Sequence, residues 1–259
     1  MPDPGQITHN FGLINRDSNS FTNVTIHAAA TLQKIQTCQN SGQKGTKIVY
    51  YSPIFDGLQF GLDFQPNVNM SHGPVTGTAT KSGAIRNLVA GELNYNHDLG
   101  PVTLRAGAGF EYAISPANPG PNPAFYQAGL QVGFGRWKVG ASGDYWQNYG
   151  VSGRANSGSA TPIDNGSDAW LATVGASYAI DAWTLGLQYA HGEFETAKNA
   201  TDRYNAVSLQ AVYHLGQGIW LEGEAAYFWY NQDKVASSST TIFATSRSAS
   251  IGLGTYITY

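Results

Sequence analysis

The chain has 259 residues, of which 42% are hydrophobic and only 12% are charged, and its formal net charge is −3. This charged fraction is about half that of an ordinary soluble domain, so we expect little of the chain to face water. The 14 lysines and arginines never cluster, which argues against a nucleic-acid partner. No apolar run reaches the roughly 18 residues that a membrane-spanning helix requires.

The first 45 residues carry the weakest pattern in the chain. They contain no charged leader followed by an apolar stretch, so no secretory signal is predicted there. Residues 23–33 are the exception, because Val24, Ile26 and Ala28 alternate with Thr25 and more polar neighbours. This segment is a candidate for one extra β-strand.

From residue 46 onward, apolar and polar residues alternate strictly in blocks of about ten, which is typical of β-strands with two different faces. Eleven such blocks follow one another. They cover residues 46–53, 58–66, 85–96, 102–113, 126–134, 137–146, 168–179, 183–194, 204–215, 219–230 and 245–259. With the segment at 23–33, the chain is predicted to have 11 or 12 strands.

The links between the blocks alternate between short and long. Tight turns are predicted at 54–57, 97–101, 135–136, 180–182 and 216–218, and longer polar links at 67–84, 114–125, 147–167, 195–203 and 231–244. Short turns at one end and long loops at the other indicate an antiparallel up-and-down barrel that crosses a membrane.

Aromatic residues cluster towards the ends of the apolar faces, where strands of a membrane barrel cross the two bilayer interfaces. These residues are Tyr126, Trp137, Tyr145, Trp170, Tyr178, Trp183, Tyr189 and Trp229. The composition and the aromatic positions together favour a membrane barrel over a soluble sandwich, although both folds produce the same alternation.

Residues 46–67, TKIVYYSPIFDGLQFGLDFQPN, resemble the general porins of Gram-negative bacteria, especially the alphaproteobacterial type. The resemblance continues in register to Tyr259. It implies a channel in the cell outer membrane, surrounded by outer-membrane lipid, that passes ions and small hydrophilic solutes by diffusion. Family porins are sixteen-stranded homotrimers, so the resemblance also implies that the chain is N-terminally truncated and that its full-length parent is a trimer.

By the same resemblance, residues 1–45 are the remnant of the third loop, which folds into the lumen in porins, and residues 46–259 form the barrel strands. Family porins set acids of this loop against bases on the wall. Here the matching loop acids are Asp3 and Asp17.

Charged side chains on the polar face are the candidate pore-lining residues, because a charge that faces lipid costs about 2–4 kcal/mol at the bilayer midplane. By alternation they are Asp63, Arg86, Glu92, Arg105, Glu111, Lys138, Asp144, Glu222 and Glu224. Arg105 is placed mid-strand by this pattern and is therefore expected near the narrow part of the channel.

No catalytic or metal site is predicted, and no cofactor is expected. The six histidines show no metal-ligand spacing, and the single Cys38 has no second thiol to join. Two other readings stay open: a soluble secreted β-sandwich that binds carbohydrate, and a barrel-type outer-membrane lipid hydrolase, for which His191 would be the outer-wall residue.

Overall fold

The computed structural model describes residues 48–68, 85–114, 122, 124–148, 168–197, 200–216, 218–237 and 240–257. These residues form eleven strands: β1 (Ile48–Tyr51), β2 (Leu58–Val68), β3 (Ile85–Leu99), β4 (Val102–Ile114), β5 (Ala124–Phe134), β6 (Trp137–Gln147), β7 (Ala169–Ile180), β8 (Trp183–Ala197), β9 (Ala200–Gly216), β10 (Ile219–Ser237) and β11 (Thr240–Ile257). Within these ranges no helix is long and apolar enough to cross a membrane. The candidate strand at 23–33, the predicted loop at 1–45 and its acids Asp3 and Asp17 lie outside the described residues.

The strands form one sheet in which spatial order equals sequence order, and every neighbouring pair is antiparallel. Greek-key sandwiches need a strand that returns by a long connection to lie beside a non-consecutive strand, and the described sheet has none. The prediction of an all-β, antiparallel up-and-down architecture is confirmed, and eleven of the predicted 11 or 12 strands lie in the described residues. In the described part of the chain, β1 and β11 each pair on one side only, so the sheet has two edges.

Tight turns at one end of the sheet follow from residues that tolerate a positive φ. Asp56 and Gly57 have φ angles of 48° and 83°, as a type I′ hairpin turn requires. Phe55 and Leu58 close this turn with two backbone hydrogen bonds of 2.8 Å. Gly100, Gly135, Asp181 and Gly218 provide the positive φ in the other four turns.

The last four strands are longer than the alternation predicts. Links were predicted at 195–203 and 231–244, but β8 ends at Ala197 and β9 begins at Ala200, while β10 ends at Ser237 and β11 begins at Thr240. Both predicted long links are therefore wrong. The physical reason is that backbone pairing continues beyond the membrane-facing band, where neither face has to be apolar and alternation no longer marks the strand.

The two faces of the sheet differ sharply. Side chains on the face here called the apolar face are large, hydrophobic and exposed, including Leu62, Val174, Leu187 and Leu209. Leu187, the fifth residue of β8, is 55% exposed. Soluble proteins rarely expose contiguous apolar patches larger than a few hundred Å², so this face needs an apolar surrounding. The opposite face is here called the polar face.

Aromatic side chains form two belts on the apolar face. Near the tight turns, Trp137 and Tyr178 have ring centroids 4.6 Å apart, and Trp183 and Tyr213 have centroids 4.7 Å apart. Towards the other end, Tyr126 stacks on Tyr145 at 6.4 Å. A band of aliphatic residues separates the belts, as expected where strands cross a lipid bilayer.

Candidate functional site

The polar face carries eight of the charged residues that alternation selects. Along its strand each of these residues alternates with the exposed aliphatic residues and therefore lies on the opposite face. They are Asp63, Glu92, Arg105, Glu111, Lys138, Asp144, Glu222 and Glu224. Arg86 lies in β3, but its side chain is outside the described set, and Asp3 and Asp17 are outside the described residues altogether.

Arg105 is the most informative basic residue of this face. It lies directly opposite Asn96 of β3 and Gln131 of β5, and its Nε is buried without an acceptor among the described residues. It is the fourth residue of β4, close to the tight turn rather than at mid-strand as expected. The predicted strand at 102–113 and β4 at Val102–Ile114 begin at the same residue, so the expected mid-strand position was wrong.

Lys138 is the second base and lies two strands away, where it is exposed near the tight turns. Its register partners are Gly133 of β5 and Ser177 of β7. A Cβ at Gly133 would lie 3.8 Å from Lys138 Cγ, so the lysine stem passes close to this glycine. A row is here a set of residues directly opposite one another on successive strands. Arg105 and Lys138 lie two rows apart, and therefore on the same face of the sheet.

Three acids of β3 to β6, namely Glu92, Glu111 and Asp144, lie farther from the tight turns than the two bases do. Glu92 accepts a hydrogen bond of 3.4 Å from Asn94 Nδ2. Asp144 is only 4% exposed and lies opposite Gln127 and Leu171. These three acids are thus separated from the bases along the strand direction, whereas Asp98 of β3 lies in the same row as Lys138.

A second group of acids lies on β10. Glu224 accepts a hydrogen bond of 3.1 Å from Gln210 Nε2, and the same amide nitrogen lies 3.3 Å from Ser208 Oγ. Glu222 is the next residue on this face towards the tight turn, opposite Val212. The bases on β4 and β6 and the acids on β10 thus occupy different sectors of the same face.

Sequence reasoning missed an aromatic cluster on the polar face, at the end away from the tight turns. Phe125 and Trp146 have ring centroids 5.3 Å apart, and Tyr204 and Phe228 have centroids 6.3 Å apart. The buried members of this cluster are Phe125, Trp146, Ala169, Leu171, Tyr204, Ala206, Ala226, Phe228 and Tyr230. Alternation in the sequence could have predicted their face, because Phe228 and Tyr230 lie an even number of residues from Glu224 on the same strand.

Neither an enzymatic nor a metal centre is evident in the part of the chain that the structure describes. No three His, Cys, Asp or Glu side chains come together there as a metal site. His191 lies on the apolar face, with its Nδ1 2.8 Å from Asn205 Oδ1 and its ring edge-to-face with Trp170. Its described contacts are with an amide and an indole, and they include no serine.

A sheet with one exposed apolar face, two aromatic belts and eight charged side chains on the opposite face defines a membrane-spanning β-strand protein. Residues 5–233 match the family described as Gram-negative porin. The chain therefore belongs to the Gram-negative porin family, whose place is the outer membrane.

Solved structures of outer-membrane proteins share this fold at low sequence identity. An anion-selective porin from Comamonas acidovorans is 16% identical with a TM-score of 0.53, and the match covers 82% of this chain and 58% of that porin. The outer-membrane channel DcaP of Acinetobacter baumannii is 12% identical with a TM-score of 0.54, and the match covers 82% of this chain and 62% of DcaP.

OmpT, an outer-membrane protein of Vibrio cholerae, gives 12% identity and a TM-score of 0.52, with 82% of this chain and 64% of OmpT covered. The chain thus spans less than two thirds of each of these relatives. No curated protein sequence matches it.

Proposed function

We propose that the protein is a diffusion channel and not an enzyme, with its polar face lining a water-filled path for ions and small hydrophilic solutes. One observation carries this proposal: eight charged side chains lie on the face opposite the exposed aliphatic residues. A charge is costly in lipid and is tolerated on a face that borders water.

The wall residues of this proposal are Arg105 and Lys138 as the bases, with Asp63, Glu92, Glu111, Asp144, Glu222 and Glu224 as the acids. Fixed charges on a pore wall act on ions at short range and set their relative permeability. The separation of bases on β4 and β6 from acids on β10 supports a field directed across the path. Arg86, Asp3 and Asp17 complete the predicted set.

Two rival functions are less well supported. A soluble carbohydrate-binding sandwich would bury its aliphatic face, whereas Leu187, Ile251 and Leu253 are more than half exposed. A lipid hydrolase needs a nucleophile beside its histidine, and the described neighbours of His191 are Asn205 and Trp170.

We further propose that the protein functions as a homotrimer, in line with its family. Chemical cross-linking in native membranes, followed by gel electrophoresis, tests this proposal. Bands of cross-linked dimers and trimers are expected, and a monomer band alone would contradict the proposal.

Planar-bilayer recording tests the channel itself. Purified protein added to one side is expected to produce stepwise ohmic current increments in potassium chloride. An absence of increments, from protein whose heat-modifiable gel migration shows that it is folded, refutes the proposal.

A further inference from the structure

Arg105 and Gln131 are two neighbouring residues of the polar face whose side chains have no hydrogen-bond partner among the described residues. They lie directly opposite each other on β4 and β5. Gln131 is only 4% exposed, and the Nε of Arg105 is buried. A buried polar group without a partner destabilises the fold, so each such group in a protein needs an explanation. A solute that supplies the missing partners would offset this cost.

The guanidinium of Arg105 forms no ion pair within the described ranges. The nearest acid by register is Asp98, two residues along β3 from Asn96, which lies opposite Arg105. With strands about 4.8 Å apart and a rise of about 3.3 Å per residue, the Cα atoms of Asp98 and Arg105 are about 8 Å apart. Because Nε is buried, the two terminal nitrogens are the donors left for a solute. Such a pair of donors matches the two oxygens of a carboxylate.

Lys138 provides a second base close to this pair. Gln131 lies opposite Gly140, which is two residues along β6 from Lys138. By the same strand geometry, the Cα of Lys138 is about 8 Å from that of Gln131 and roughly 12 Å from that of Arg105. Lys138 is exposed and has no ion-pair partner in the described part of the chain. Both long basic side chains therefore extend from positions that flank the same small area of wall.

Glycines surround Gln131 on this face. Gly129 and Gly133 are its neighbours along β5, Gly140 lies opposite it on β6, and Gly175 lies opposite Gly140 on β7. None of these positions has a side chain, so the amide of Gln131 and the two bases are the groups that the described wall presents here. This arrangement places the backbone wall close to a solute held by the bases.

Hydroxyl groups border the glycine patch on both sides. Ser142 and Thr173 lie opposite each other on β6 and β7, with Oγ and Oγ1 2.5 Å apart, two rows from Gly140. Ser177 lies two rows away in the other direction, opposite Lys138. Hydroxyls and amides both donate and accept hydrogen bonds, as the hydroxyl groups of a solute do. A solute with a carboxylate and several hydroxyl groups would match this combination, whereas an apolar acid would leave the polar groups unpaired.

We propose that Arg105, Gln131 and Lys138 form a binding site for a small polyhydroxylated carboxylate, with the chemistry of a sugar acid. Arg105 binds the carboxylate, Lys138 adds a second attraction to the negative charge, and Gln131 forms hydrogen bonds with hydroxyl groups. This inference rests on the proposed function, because the site lies on the face that is proposed to line the channel.

Isothermal titration calorimetry of the full chain folded in detergent tests the site, with gluconate as the probe. Arg105→Gln is expected to weaken gluconate binding about tenfold, because a hydrogen bond to a charged group is lost, and Gln131→Ala about threefold. The matched control is Arg136→Gln, which removes an exposed arginine in the turn before Lys138. It is expected to bind gluconate like the unmodified chain. Far-UV circular dichroism and heat-modifiable migration confirm that each variant is folded.

Gln131→Glu is a second variant that tests the geometry. It places a carboxylate directly opposite Arg105, where it is expected to pair with the guanidinium and compete with the solute. Gluconate binding is therefore expected to fall further in Gln131→Glu than in Gln131→Ala. Equal losses in these two variants would contradict the assignment of Arg105 to the carboxylate.

Three related probes separate the contributions of charge and hydroxyl groups. Glucose has the hydroxyl groups without the carboxylate, and acetate has the carboxylate without the hydroxyl groups, so each is expected to bind about tenfold more weakly than gluconate. Acetate or glucose that binds as tightly as gluconate overturns the proposal, as does inorganic phosphate that binds more tightly. Unchanged binding in Arg105→Gln, or an equal loss in Arg136→Gln, also overturns it.

The outcome for the channel is measured separately. Calorimetry requires no conduction, so gluconate binding by a folded protein that gives no current increments would refute the channel and leave the site standing. Current increments without gluconate binding would refute the site alone.

Discussion

Tyr230 donates a hydrogen bond to the Oδ2 of Asp202, and both side chains are buried on the polar face between β9 and β10. Tyr230 is also the most completely buried side chain of the aromatic cluster. The bond ties Asp202, which precedes the predicted strand at 204–215, to Tyr230, the last residue of the predicted strand at 219–230. It is therefore one of the contacts that stabilise the strand extensions.

Replacing Tyr230 with Phe is expected to lower the free energy of unfolding by about 1–3 kcal/mol, because a buried carboxylate loses a donor. Urea unfolding in detergent micelles, followed by tryptophan fluorescence, measures the change. Tyr227→Phe is the matched control, since Tyr227 lies on the apolar face and its hydroxyl has no partner among the described residues. Equal stability losses in the two variants would contradict the role given to the bond.

Leu187→Arg tests whether the apolar face borders lipid. Leu187 lies four residues along β8 from Trp183, near the middle of the apolar band. An arginine there is expected to destabilise the folded protein in phospholipid bilayers by about 2–4 kcal/mol. The adjacent Gln188→Arg places the same charge on the polar face and is expected to cost much less. If both variants unfold at the same denaturant concentration in vesicles, lipid does not distinguish the two faces.

Arg105→Glu is expected to shift the ion preference of the channel towards cations, because it replaces a positive wall charge with a negative one. The measurement is the reversal potential of the current across a potassium chloride gradient. Arg136→Glu makes the same charge change in an exposed turn and is expected to have a smaller effect. A reversal potential that stays unchanged in Arg105→Glu would place this residue away from the ion path.

Gly57→Ala and Gly100→Ala distinguish backbone strain from steric crowding in a tight turn. Both glycines have a positive φ, but a Cβ at Gly57 would lie 2.3 Å from the carbonyl oxygen of Asn96, whereas one at Gly100 meets nothing within 4 Å. Gly100→Ala is expected to cost about 1–2 kcal/mol of stability from backbone strain alone. Gly57→Ala is expected to cost more, because the turn must also shift away from β3. Urea midpoints of the two variants compare these costs, and a larger loss for Gly100→Ala would contradict the explanation.

Alternation in the sequence predicts which face each side chain occupies, because the period of a strand is two and one face must be apolar in lipid. Leu62 and Asp63 show this directly, one exposed on the apolar face and the other on the polar face. The tight turns could equally be predicted from the sequence, since Asp56 and Gly57 are residues that accept a positive φ.

The strand ends and the aromatic cluster could not be predicted in this way. Beyond the membrane band, residues such as Thr201 and Asp202 are paired by backbone hydrogen bonds that leave no trace in hydropathy. Trp146 and Phe125 form a buried pair on a face that was expected to be small or polar. Side-chain packing of this kind depends on which strands are neighbours and at what register, and alternation alone does not contain that information.

The equality of spatial order and sequence order also bears on how the chain reaches its folded state. Each of the eleven described strands pairs only with the strand before it or after it, so each of these pairings closes a single hairpin loop. Short loop closures cost little entropy and form quickly compared with pairings between remote strands. Assembly can therefore proceed hairpin by hairpin, with each new strand using the edge of the last one as its template.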